Sequence, residues 1–156
     1  MSTERIIVQR SVADAFRKVL TETTERIFGK HTPPQILISG AAVQRNKALV
    51  SNAVAKGAQL LYGDHKPQEA TATCLRPMVV ENVTRDMDLY FTESFGPTVS
   101  LYVVDTEDQA IELANDTEYG LTVAVYSENL RRGLRMQDRL KLGTTPLLHV
   151  KVSHYT

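Results

Sequence analysis

Few side chains in this sequence have chemistry that reaches beyond folding. Glu93 opens a short Glu-Ser-Phe-Gly-Pro run, Cys74 is the sole cysteine, and His149 and His154 lie near the C-terminal end. An ionised carboxylate is acceptor-only and can bridge the two hydroxyls of a diol. Read without context, however, Glu93 is a solvated loop carboxylate. Phe95 read alone is core packing, and Gly96 and Pro97 shape the turn in either case. Cys74, in the Thr73–Pro77 segment, reads as a small buried hydrophobe. With one cysteine no internal disulfide can form. His149 and His154 lack the carboxylate or cysteine company of a metal site, so neither is assigned as a ligand.

The elements that must position these residues alternate between helix and strand, which predicts an α/β domain. Arg5 to Val8 is strand-like. Ser11 reads as a helix N-cap with Asp14 completing a capping box, and Ala15, Phe16, Val19, Leu20, Thr23 and Ile27 recur at helical spacing as far as Gly29. His31 to Pro34 cannot continue the helix and is a loop. A second helix is expected over 43–56, with Val43, Val50, Ala53 and Val54 on one face and Gly57 as its stop. Gln59 to Tyr62 and Met78 to Val83 have strand character, and Lys66 to Ala72 reads as an exposed connection. Thr106 with Gln109 predicts a capping box, followed by the apolar stripe Ala110, Ile111, Leu113 and Ala114. The strand Thr98 to Val104 before that helix and the run Thr122 to Tyr126 after it suggest a βαβ unit with parallel pairing. A last helix is expected over 128–141. Together these give a three-layer α/β domain with a mostly parallel sheet.

Lysine plus arginine equals aspartate plus glutamate at 18 each, so charge gives no reason to expect a nucleic acid or an anionic membrane as partner. The apolar stretches are far shorter than a bilayer span. The N-terminal residues lead into a strand and not into a signal-peptide core, so the expected compartment is the reducing cytoplasm.

Three stretches in register carry a family resemblance. Glu93-Ser94-Phe95-Gly96-Pro97 resembles the Glu-x-Phe-Gly-Pro motif of aldehyde dehydrogenases. Asn115-Asp116-Thr117-Glu118-Tyr119-Gly120-Leu121 resembles that family's Ala-Asn-x-x-x-Tyr-Gly-Leu segment. Met1 to Val8 looks like the strand that follows the family's catalytic cysteine. Similarity extends over about nine-tenths of the chain, and the stretch 43–64 resembles the salicylaldehyde (aromatic-aldehyde) branch. The resemblance implies NAD(P)-dependent oxidation of a small-molecule aldehyde to a carboxylic acid: a thiolate attacks the carbonyl, hydride passes to NAD or NADP, and water hydrolyses the thioester. It implies further that Glu93 accepts hydrogen bonds from the nicotinamide-ribose hydroxyls and that Phe95 packs beside that ribose and ring. Both are cofactor-binding roles; no residue is assigned as catalytic. Arg5, Asn115, Tyr119, Gly120 and Leu121 read as architecture, since a polar strand–helix junction needs its backbone groups satisfied.

By the same resemblance the nucleophile would stand immediately before Met1, preceded by the general base, the oxyanion asparagine and the dinucleotide-binding domain. Residues 1–143 thus read as a partial aldehyde dehydrogenase catalytic domain and 144–156 as a divergent tail, in which Leu148, Val150 and Val152 alternate as a makeshift strand. The loop from Pro33 to Ser39 looks shorter than the family's. These departures point to a truncated or remnant sequence that is inactive by itself. The alternatives are a longer, active natural product, or a non-catalytic partner of full-length relatives that forms a homo- or hetero-oligomer through apolar surface left uncovered.

Overall fold

The computed structural model describes residues 3–66, 71–141 and 147–148. In chain order they form β1 (Arg5–Gln9), α1 (Arg10–Phe28), β2 (Gln35–Ile36), α2 (Gly40–Ala55), β3 (Gln59–Tyr62), β4 (Cys74–Leu75), β5 (Met78–Glu81), α3 (Asp88–Phe91), β6 (Thr98–Val104), α4 (Glu107–Asn115), β7 (Val125–Tyr126), α5 (Leu130–Gln137) and β8 (Leu147–Leu148). They group into two compact units, Met1–Val104 and Asp105–Thr156.

The first unit is built on a sheet of order β1-β6-β5-β3. β6 pairs in parallel with β1 (Ile6 opposite Leu101) and with β5 (Val80 opposite Ser100), while β3 runs antiparallel to β5. Side chains alternate between the faces of a strand, and here each face meets its own helix. Val8, Val79 and Leu101 pack with Ala13 of α1, joined by Ile6, Val99, Val103, Phe16 and Leu20. On the opposite face α2 buries Val43, Asn46, Leu49, Val50 and Ala53, and the Thr98 hydroxyl donates to Asn46 Oδ1 at 2.9 Å. Helix, mostly parallel sheet, helix: the three expected layers are present. α1 adds two polar ties. Arg17 pairs with the buried Glu81 of β5 at 2.7 Å, and the Tyr62 hydroxyl donates to Glu25 at 2.7 Å.

Several local expectations are corrected. Ser11 is not the N-cap of α1; the helix begins at Arg10, and its N-cap residue Gln9 makes no side-chain cap bond. Asp14 pairs instead with Arg17. The inward face of α1 runs through Ala13, Phe16 and Leu20, while Val19 and Ile27 are 60% and 48% exposed. Of the expected stripe, Phe16 and Leu20 meet the sheet, and Val19 and Ile27 face away from it. α2 starts earlier than expected, because the Ser39 hydroxyl caps it by accepting from Ala42 N. Its core face includes Leu49 and Asn46, whereas Val54 is partly exposed. Gly57 (φ 103) ends it as expected. β2 and β4 form a two-stranded antiparallel pair whose two-residue strands are too short to show a periodicity. The parallel pairings of β6 are with β1 and β5, and β7 pairs with β8, so the expected βαβ unit through α4 does not form.

In the second unit the Thr106–Gln109 capping box is present. Glu107 accepts two bonds from Arg135 at 2.8 and 2.6 Å, and these hold its carboxyl below the usual carboxylate range. Asn115 bonds the backbone of Arg139 and Lys141, the architectural part expected of it. α5 covers only Leu130–Gln137 of the longer helix expected. Val150 and Val152 lie outside the described residues, as do His149, His154 and Gly143. No described helix is long and apolar enough to cross a membrane.

Leu101 is 1% exposed at the centre of the sheet. Leu101→Ala is expected to cost about 2–5 kcal/mol in urea unfolding, against under about 0.5 kcal/mol for the exposed Val19→Ala. Burial, and then its bond to Glu25, push the Tyr62 phenol from 10.0 up to about 12. A folded value above the unfolded one means that this contribution is complete below pH 10.0 and lost as pH rises towards 12. Ultraviolet titration of tyrosinate, compared with Tyr62→Phe, checks the assignment.

Candidate functional site

The run Glu93–Pro97 links α3 to β6 within the first unit. It is held from beneath by side chains distant in sequence. Asn46, fully buried on α2, donates through Nδ2 to Ser94 O and to Ala42 O, both at 2.9 Å, while its Oδ1 accepts from Thr98. Ser94, 1% exposed, receives Gly96 N on its hydroxyl at 3.2 Å, and Met78 N donates to Pro97 O at 2.8 Å. The carboxylate of Glu4, just ahead of β1, accepts from Ser94 N at 3.0 Å and from Phe95 N at 3.2 Å. Arg45 donates to Glu93 O.

Gly96 is required by close approach. A Cβ there would lie 2.5 Å from Asn46 Oδ1. The loop therefore rests directly on the asparagine amide, and any side chain at 96 would push the two apart.

This pedestal presents the two residues expected to face a cofactor. Phe95 adopts φ 48, a left-handed conformation that is rare for a bulky residue and costs roughly 1–2 kcal/mol. The residue is 70% exposed, with the Arg45 guanidinium 5.9 Å from the ring centroid. The side chain of Glu93 is half-buried, and among the described residues no group bonds or pairs with its carboxylate. A carboxylate without a partner among the described residues, two positions from an exposed aromatic residue, has the chemistry to accept from a ribose diol.

Cys74 lies elsewhere, in β4, 8% exposed, with its sulfur accepting from the Thr71 hydroxyl at 3.0 Å. Arg5 is structural, as expected: its guanidinium stacks 4.8 Å from the Tyr90 ring centroid and donates to Tyr90 O. Sequence reasoning missed Glu4 and Asn46. A polar residue on the apolar stripe of α2 was a signal for Asn46. Glu4, 90 residues before its partner, gave none.

The α/β layer structure is shared with solved oxidoreductases. The solved succinic semialdehyde dehydrogenase of Streptococcus pyogenes, in complex with NADP+ as the cofactor, superposes with TM-score 0.83 and 26% identity, over 96% of this chain and 34% of that one. The salicylaldehyde dehydrogenase of Pseudomonas putida G7, complexed with salicylaldehyde, gives TM-score 0.83 and 27% identity over 97% of this chain and 32% of that one. The sequence pattern of the aldehyde dehydrogenase family matches residues 1–152, and the chain belongs to that family. Vanillin dehydrogenase of Pseudomonas fluorescens is 37% identical over 148 residues, 92% of this chain and 30% of the relative. The chain thus spans about a third or less of the length of the relatives it matches.

Gly96→Ala is expected to destabilise the fold by about 1–3 kcal/mol. In an Asn46→Ala background the added cost should shrink, because the amide it strikes is gone. A double-mutant cycle from urea unfolding reads this coupling, and strict additivity would count against the close approach.

Proposed function

We propose that this stretch forms the nicotinamide-facing side of an NAD(P)-dependent aldehyde-oxidising site, with Glu93 receiving the ribose hydroxyls and Phe95 packing beside the ribose and ring. The observation that carries the reading is half-buried Glu93, whose carboxylate has no partner among the described residues, two positions from Phe95, which is 70% exposed at positive φ. When bound, the nicotinamide supplies the hydride acceptor. The part played by these residues is to bind and orient it. The pedestal of Asn46, Ser94 and Glu4 keeps both contacts preorganised, which reduces the ordering cost of binding.

The reactive thiol, the general base and the dinucleotide-binding domain come, on this reading, from polypeptide other than these 156 residues, whose sole cysteine is buried. The isolated stretch then turns over no aldehyde. An aromatic aldehyde is the favoured substrate class, supported by the likeness to vanillin and salicylaldehyde dehydrogenases. A cytoplasmic setting, and a division into a family-like part (1–143) and a tail (144–156), belong to the same proposal. A second reading, a non-catalytic partner of full-length relatives, draws support from Val12, Val19 and Ile27, exposed by 54%, 60% and 48% along α1. Co-purification with a full-length relative would favour it.

Nicotinamide mononucleotide titrated into the 15N-labelled chain is expected to perturb the amides of Glu93 to Gly96, and Glu93→Gln should weaken the binding roughly tenfold. Absence of any perturbation at that loop in the unsubstituted chain would overturn the reading. No NAD(P)H should accumulate when aldehyde and NAD(P)+ are added to the isolated chain; an aldehyde-dependent rise abolished by Glu93→Ala would overturn its expected inactivity.

A further inference from the structure

We propose that Glu4 is a positioning residue for this site: by binding two consecutive amides it sets the rotation of the Glu93–Phe95 backbone, and so the direction of the Glu93 carboxylate and the Phe95 ring. The inference rests on the reading of that loop as the nicotinamide-riboside contact.

The two oxygens of Glu4 divide the work. Oε2 accepts from Ser94 N at 3.0 Å and Oε1 from Phe95 N at 3.2 Å. Successive backbone N–H groups converging on one anion form a concave amide nest, and hydrogen bonds to an ionised acceptor are stronger than neutral ones. The other supports act on neighbouring atoms: Asn46 holds Ser94 O, Arg45 holds Glu93 O, and the Ser94 hydroxyl holds Gly96 N. Among the described residues, Glu4 is what holds the amide of Phe95, the residue at φ 48. An aromatic residue leaves that region unless something fixes it. Relaxation at Phe95 turns its ring and swings the adjoining Glu93.

Glu4 is itself well anchored. Its carbonyl accepts from Ser100 N at 2.9 Å, and the next residue, Arg5, lies against Tyr90 and Tyr102. The carboxylate thus stands on the edge of the sheet through the β1–β6 pairing, and the loop inherits that rigidity. Through Glu4 the segment opening the chain and a loop some 90 residues later are positioned as one piece.

Glu4→Gln keeps the size of the side chain but puts an amide NH2 where one of two acceptors stood, so one backbone N–H meets a donor. In the 15N-labelled chain we expect the amide protons of Ser94 and Phe95 to move upfield together while the core resonances of Val79 and Leu101 stay in place. Affinity for nicotinamide mononucleotide should fall roughly tenfold. In Glu4→Ala the loop amides should scatter, and adding Phe95→Gly should bring the Gly96 resonance back, since glycine takes positive φ without steric cost, while Ser94, its acceptor gone, stays shifted. Unchanged amides in Glu4→Gln, or shifted amides with affinity intact, would overturn the positioning role. If Glu93→Gln leaves nucleotide affinity unchanged while Glu4→Gln still shifts both amides, the cofactor reading of the loop is what has failed, and the positioning role falls with it although the anchoring contact stands.

Discussion

The side-chain amide of Asn46 is the contact on which the architecture around the loop depends. It is fully buried, and its two ends are committed to α2 itself, to the Ser94 carbonyl and to the hydroxyl that begins β6. A buried amide left without partners is costly, so helix, loop and strand satisfy it together or not at all. Gly96 reports the same constraint from the other side, since its backbone lies where no side chain fits.

That contact explains why a polar layer runs beneath an otherwise apolar sheet. Thr98 and Ser100 point from the central strand towards α2, while Val99, Leu101 and Val103 point towards α1. The α1 face is ordinary apolar packing with an ion pair from the partly exposed Arg17 to the buried Glu81. The α2 face spends its polar groups on shaping a loop. Phe95 can then hold a strained conformation with its ring in solvent, because neighbouring groups over-determine the backbone beneath it. Support from regular elements below a short exposed loop gives a more exact site than a long loop would.

Much of the frame was legible from local patterns. Thr106 and Gln109 lie three residues apart, and a capping box is a local device that forms wherever its helix does. The run Thr98–Val104 was legible as a strand and is one, but its central place in the sheet was not. What failed were choices between locally equivalent options. Val19 and Leu20 both fit a helical stripe on α1, and only Leu20 meets the sheet. Ser11 resembled an N-cap, but β1 passes into helix at Arg10 without a capping side chain. A strand–helix–strand rhythm around α4 suggested a crossover, yet the pairing partners of β6 come from Arg5–Gln9 and Met78–Glu81. Pairing depends on which edges meet, and rhythm does not encode that.

By itself the sequence determined the alternation of helices and strands, the capped start of α4, the stop of α2 at Gly57 and the family motif that singled out Glu93 and Phe95. Those follow from neighbours within a few residues, or from a pattern readable along the chain. Only the tertiary structure decided that Phe95 would be exposed at positive φ, that the Glu93 carboxylate would find no partner among the described residues, and that Glu4 and Asn46 would carry the loop. The reason is distance along the chain. Hydrogen bonds spanning 48 and 90 residues exist only once the sheet has brought their ends together, and no local periodicity announces them.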